Sequence, residues 1–194
     1  MDPTLNAAIF VATDFDELGV RWFVGGSHAS SFHGIPRLAL GADLVADLRL
    51  EHAKTLVGRL AGDWYVDEAA IREAIERRGS FNLIHFEFGQ KVDVFVPKRR
   101  PFDYGQFARA VKLPASRFLE PTIPICSPED IVLAKLEWFR LGGEISHQQW
   151  ADILGVIRIC EARFDRGRMR ANAAELGVAD LLRKAFAEAG AGEE

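Results

Sequence analysis

The residue types most capable of chemistry fall within Phe23 to Asp47, with two further candidates at Asp93 and Lys135. Gly25-Gly26-Ser27 follows an apolar run, Trp22-Phe23-Val24, and precedes a short helix-compatible segment. Paired glycines let the chain turn sharply and leave the main chain bare enough for a ligand to approach it. Ser27 suits an N-cap, and the free N–H groups of a helix start commonly hold a phosphate. Gly-Gly-Ser also occurs in tight turns that bind nothing, so its surroundings must decide. Asp43 follows on a second strand beside Leu44-Val45, and Asp93 sits in the almost wholly apolar run from Lys91 to Val96. An unpaired carboxylate inside a sheet costs on the order of several kcal/mol, so Asp93 requires a cation, hydrogen-bond donors or a proton. Two readings of it stand: a metal ligand, or a structural ion pair with Arg37 or a lysine. Lys135 is a second misfit, because Ile131, Val132, Trp138 and Phe139 lie three and four positions away and place its ammonium on an apolar stripe. Either it snorkels along that surface, or it reaches over a cleft to a triphosphate or to Asp43 and Asp93.

The order of these groups resembles the nucleotidyltransferase superfamily, in the branch of the AbiEii-like abortive-infection toxins and other minimal nucleotidyltransferases. That pattern has a Gly-Gly or Gly-Ser turn, a Gly-x-x-Arg-x-Thr loop, a strand bearing Asp-x-Asp, and a third carboxylate on a later strand. Gly25-Gly26-Ser27, Gly34-Ile35-Pro36-Arg37, Asp43 and Asp93 stand in those places. Two positions depart from it and leave the Asp-x-Asp motif degenerate: Ala39 replaces the Thr, and Gly41 replaces the first Asp. The likeness covers most of residues 20–96 and, more loosely, 122–157, where Lys135 and Asp152 match a Lys and an acid of the related families. An Arg-rich stretch usual there is Leu141-Gly142-Gly143-Glu144 here. The resemblance implies Mg²⁺-dependent binding of a nucleoside triphosphate such as ATP, and nucleotidyl transfer to RNA, a protein or a small molecule. Gly25, Gly26 and Ser27 would then cradle phosphates, Asp43 and Asp93 would hold the metal, and Arg37 and Lys135 would neutralise charge, with Asp43, Asp93 and Lys135 as the catalytic set.

Geometry limits that inheritance. Strand residues two apart share a face and lie roughly 6.6 Å apart, so an Asp-x-Asp pair can converge on two ions held roughly 3.5–4 Å apart. Asp47 has the parity of Asp43 but lies roughly 13 Å along the strand, too far to replace the missing carboxylate without a bulge. Asp43 with Asp93 suits a single Mg²⁺, which accepts one or two carboxylates plus waters and phosphates. The alternative to an enzyme is therefore a nucleotidyltransferase-fold module that binds without catalysing, in a toxin–antitoxin or phage-defence setting. A structural domain with a ligand-free cleft is the third reading.

The elements that must position these groups alternate. Pro3–Leu18 reads as a helix on the stripe Leu5, Ala8, Ile9, Ala12, Phe15 and Leu18, and Glu51–Leu60 as another. Trp64–Val66 is a short strand, and Asp67 caps a helix over 68–78. Residues 80–88 and 91–96 form a hairpin joined by Gly89-Gln90. This predicts an α/β (α+β) fold, a mixed sheet flanked by helices, over 1–115, with a helical C-terminal subdomain over 116–194. Pro97–Pro124, with Lys98-Arg99-Arg100 followed by four spaced prolines, is the least regular part, and the basic triplet reads as a solvated turn. Ser127-Pro128-Glu129-Asp130 is a strong helix start, Ser146 begins another helix, and two short helices follow over 166–176 and 178–189. His28 and His33 are too far apart on a helix to share a metal, and His28 reads as half-exposed.

With 194 residues, 48% of them hydrophobic, the chain can bury a full core. A formal net charge of −4 argues against non-specific duplex binding, and sequence-specific DNA binding is not expected. Cys126 and Cys160 lack CxxC spacing and read as free buried thiols. No basic leader and no apolar run of roughly 18 residues appears, so a cytoplasmic protein without a membrane partner is expected.

Overall fold

The computed structural model describes residues 2–116 and 119–192, which divide into two compact units. The first comprises Met1–His28 and Ala39–Ile125, the second Ala29–Leu38 and Cys126–Glu194.

The first unit is built on a seven-stranded sheet of β1 (Trp22–Val24), β2 (Gly41–Ala46), β3 (Trp64–Tyr65), β4 (Ser80–His85), β5 (Lys91–Phe95), β6 (Val111–Ser116) and β7 (Leu119–Ile125). Their order is β3-β4-β5-β2-β1-β7-β6. The sheet is mixed, as alternating strands and helices predict: β2 pairs parallel with β5 and β1 parallel with β7, and the remaining pairs are antiparallel. Period-two patterning sets its faces. On one face Ala42, Leu44, Ala46, Val92 and Val94 are buried. Against β2 and β5 packs α1 (Pro3–Glu17), presenting Leu5, Ala8, Val11, Ala12 and Phe15. Asp2 caps that helix by accepting from Thr4 N at 2.9 Å, with Pro3 at its first turn. Burying a side chain such as Phe15 or Leu44 contributes about 1.5–3 kcal/mol. The opposite face carries Gly41, Asp43 and Val45 beside Lys91, Asp93 and Phe95, all only partly buried.

The connections α3 (Leu50–Leu60) and α4 (Glu68–Arg77) pack on each other, and the carboxylate of Asp67 caps α4 through Ala69 N and Ala70 N. The hairpin differs from the expected one: β4 ends at His85, and residues 86–90 form the turn, closed by Gly89 N donating to His85 O. The stretch 97–124 differs more. It holds α5 (Pro101–Arg109) and the β6–β7 pair, so the first unit runs on to Ile125 instead of ending near residue 115. Proline misleads here. Pro101 occupies a helix first turn, where its missing N–H is harmless, and Pro114 lies on the edge strand β6. Pro124 sits in β7, which meets β1 at a single register pair, Val24↔Ile125.

The second unit contains α6 (Pro128–Leu141), α7 (His147–Cys160), α8 (Arg166–Glu175) and α9 (Ala179–Ala189). Ser127 and Ser146 cap α6 and α7 as their sequence predicts, accepting from Asp130 N and Gln149 N. Ile131, Val132, Leu136, Ile153, Val156, Ile157, Met169 and Leu182 fill the core. Ala29–Leu38 belongs to this unit because Gly34 and Ile35 lie on α7: a Cβ on Gly34 would stand 2.9 Å from Val156 N, and one on Gly155 3.3 Å from Ile35. Among the described residues no helix is long and apolar enough to cross a membrane, and Cys126 and Cys160 are buried and joined in no disulfide.

Candidate functional site

The two aspartates are neighbours on adjacent strands. Asp43 on β2 and Asp93 on β5 are direct register partners in a parallel pair, so both side chains leave the same face of the sheet from adjacent strands. The turn after β1 lies against the first of them. There α2 (Gly26–His33) begins at Gly26, one residue before the expected cap, so Ser27 sits in the first turn of the helix. Gly26 has φ +51°, and a Cβ there would fall on the Asp43 carboxyl group, 2.8 Å from Asp43 Cβ. Only glycine satisfies both the left-handed backbone and this close approach. Ser27 N–H points at Asp43 Oδ2 at 3.4 Å, and Gly25 N donates to Asp43 O at 2.9 Å, extending the β1–β2 ladder. The carboxylate therefore rests where the turn offers its N–H groups.

Asp93 is not sealed inside the sheet as its apolar strand suggests. Its side chain is 24% exposed and pairs with Lys91 Nζ at 2.9 Å, two residues earlier on the same face. The lysine ion pair that Asp93 calls for is thus present, and Asp93 still faces the same side as Asp43. Lys91 is itself in register with Gly41. A reading by apolar content alone misses Lys91. Its parity with Asp93 is the signal that finds it.

These residues fit one hard divalent ion and not two. Two neighbouring carboxylates are the donor set that one Mg²⁺ accepts, with waters completing its shell. A two-ion centre needs a further carboxylate, and among the described residues no group of three His, Cys, Asp or Glu is placed to hold a metal.

The other expected site residues form their own network in the second unit. Asp152 on α7 receives Arg37 Nε and Nη2, each at 2.9 Å, and Lys135 Nζ, also at 2.9 Å. Gln148 Nε2 adds a bond at 3.0 Å, and Ser30 Oγ lies 3.4 Å away. Lys135 does not snorkel: it is only 7% exposed and its ammonium is held by Asp152. Burial pushes the Asp152 carboxyl up, but the Arg37 hydrogen bonds, the Lys135 charge and the Lys135 and Gln148 hydrogen bonds outweigh it and hold the pKa at about 2. Two cations share the Asp152 carboxylate.

The histidines are structural. His28 is buried rather than half-exposed, with Nε2 3.1 Å from Thr4 Oγ1 and 3.2 Å from Asp2 Oδ2. His33 Nε2 donates to Cys126 O at 2.8 Å. Burial pushes the His33 pKa down, with the Cys126 carbonyl opposing it and Arg163 adding to it. The basic triplet is a turn: Arg100 is held by Asp103 at 2.8 Å, while Arg99 lines an open cleft of about 740 Å³ with Arg21, Asp47, Arg49, Arg78 and Tyr104. That cleft holds neither Asp43 nor Asp93.

No protein-family model and no curated protein matches the chain. Among solved structures, it is similar to an antigenic nucleotidyltransferase-like protein from Paracoccidioides brasiliensis, at 17% identity and TM-score 0.59, over 96% of this chain and 91% of that one. A looser likeness is to the lincosamide antibiotic adenylyltransferase LnuA in its lincomycin-bound form, at 13% identity and TM-score 0.47, over 78% of this chain and 95% of that one. At 17% identity the first likeness is one of architecture, and together with the mixed sheet it gives the chain a nucleotidyltransferase-like fold.

Proposed function

We propose that this chain binds a nucleoside triphosphate together with one Mg²⁺ ion and transfers the nucleotidyl group to an acceptor (RNA, a protein side chain or a small molecule). The observation that carries this reading is the register pair Asp43↔Asp93 on parallel strands, beside the bare turn at Gly26. Asp43 and Asp93 would hold the ion, which would supply charge screening and Lewis-acid polarisation at the phosphates. The turn Gly25-Gly26-Ser27 offers main-chain N–H groups to phosphate oxygens. Arg37 and Lys135 are paired with Asp152 in the second unit. Catalysis on this plan is positioning and charge stabilisation, with no covalent intermediate on the protein.

A second reading, binding without transfer as a partner module in a defence or toxin–antitoxin setting, is favoured by Gly41 in place of a carboxylate. Calorimetry with each Mg²⁺-nucleotide, followed by label transfer from α-labelled nucleotides to bulk tRNA and to protein, separates the two. Metal-dependent transfer that Asp93→Ala abolishes supports the enzyme. Binding without transfer to any acceptor supports the module. Absence of nucleotide binding by the wild type refutes both.

A further inference from the structure

We infer that Lys91 is a resident cation of this site: its ammonium, with the side-chain-free Gly41 in register beside it, supplies the charge balance that one of two metal ions would bring to a three-carboxylate face. The inference rests on the reading of Asp43 and Asp93 as the ion-holding pair. On the functional face the four nearest positions form a small lattice, Gly41 beside Lys91 and Asp43 beside Asp93. Gly41 contributes no side chain, and across from it Lys91 places Nζ 2.9 Å from Asp93 Oδ1. Three carboxylates carry a charge of −3. Two carboxylates and an ammonium carry −1, and the difference is the charge of one divalent ion.

The arrangement is also sterically consistent. A Cβ on Gly41 would stand 3.1 Å from Lys91 O and 3.6 Å from Lys91 Cβ, so a carboxylate at that position would crowd the strand that now supplies the ammonium. As a stabilising device the pair is minor, because the Lys91 side chain is 45% exposed and a solvated ion pair contributes little to folding. Its effect is on what else Asp93 can bind. An ammonium at 2.9 Å occupies a lone pair of one carboxylate and repels an incoming divalent ion, while its exposure lets it swing aside. Lys91 thus competes with metal without blocking it, and it presents a donor to the phosphates of a bound nucleotide.

The test uses Mn²⁺ alone as probe, read by electron paramagnetic resonance and calorimetry on the full chain, with circular dichroism to establish that each variant is folded. Lys91→Met is expected to bind Mn²⁺ roughly tenfold more tightly, the scale of removing one charge a few ångströms from a divalent ion in a hydrated site. Lys91→Arg, which keeps the charge, is expected to bind as the wild type does. A folded Lys91→Met that binds Mn²⁺ no more tightly than the wild type overturns the inference, as does an equal gain in Lys91→Arg. Nucleotide binding is scored separately. Tighter Mn²⁺ binding without nucleotide binding sinks the proposed function and keeps the resident cation, and unchanged Mn²⁺ binding with intact nucleotide binding does the reverse.

Discussion

At the scale of single residues, the placement of Asp43 over the turn has a direct cost for ligands. A phosphate approaching Gly26 and Ser27 meets a carboxylate already beside the Ser27 N–H, and two anions there repel unless a cation lies between them. Chelated nucleotide is therefore expected to bind and free nucleotide is not, which ATP titrations with excess Mg²⁺ and with EDTA measure. Gly26→Ala is expected to cost about 1–3 kcal/mol of stability and to abolish nucleotide binding, since the new methyl must displace the Asp43 carboxyl group. Asp152 yields a sharper contrast. Asp152→Asn leaves the buried Lys135 ammonium without its carboxylate and is expected to lose about 3 kcal/mol in urea unfolding. Lys135→Met, which leaves Arg37 still paired, is expected to lose less. What the sequence discloses at this scale is which residues are unusual. It points to Asp43, Asp93, Lys135 and Asp152, and parity along one strand puts Lys91 beside Asp93, but Arg37 on Asp152 stays hidden until the helices are in place.

At the scale of elements, caps are legible because their signal is local. Asp67, Ser127 and Ser146 each bond a main-chain N–H two or three residues on, and Ser127→Ala is expected to cost about 1 kcal/mol in α6. The 97–124 stretch is illegible for the opposite reason. Whether a proline is tolerated depends on which side of a strand has a neighbour, and that is decided by the sheet, not by the stretch itself. The loop after α2 is set by contact in the same way. A side chain at Gly34 would press on Ser30 O and Val156 N, both 2.9 Å away. Gly34→Ala is expected to destabilise by about 1–3 kcal/mol, read as a drop in thermal midpoint, whereas an alanine at Gly58, which has open space around it, is expected to be tolerated.

At the scale of the whole molecule, His33 and Asp152 each add a step to the response to acid. His33 is held neutral by burial, below its ordinary pKa of 6.5, so the stability tied to it is present above that pH and declines as pH falls through its lowered folded-state pKa. Asp152 follows: its carboxyl is held at about 2 against an ordinary 3.8. The stability it contributes, about 2 kcal/mol, is present above pH 3.8 and is lost as pH falls toward 2. Unfolding midpoints recorded from about pH 7.5 downward are expected to show the first decline, and His33→Gln is expected to flatten it. The two-unit division is the coarsest feature and the least legible, because residues 29–38 leave the sheet unit and join helices more than 90 positions later in the chain. The margins of the sheet carry one more consequence. One outer strand, β3, is two residues long, and the other, β6, bears Pro114. A stray extended peptide would find a short rail at one border and an interrupted one at the other, so the same architecture that leaves a chemical face open discourages growth sideways.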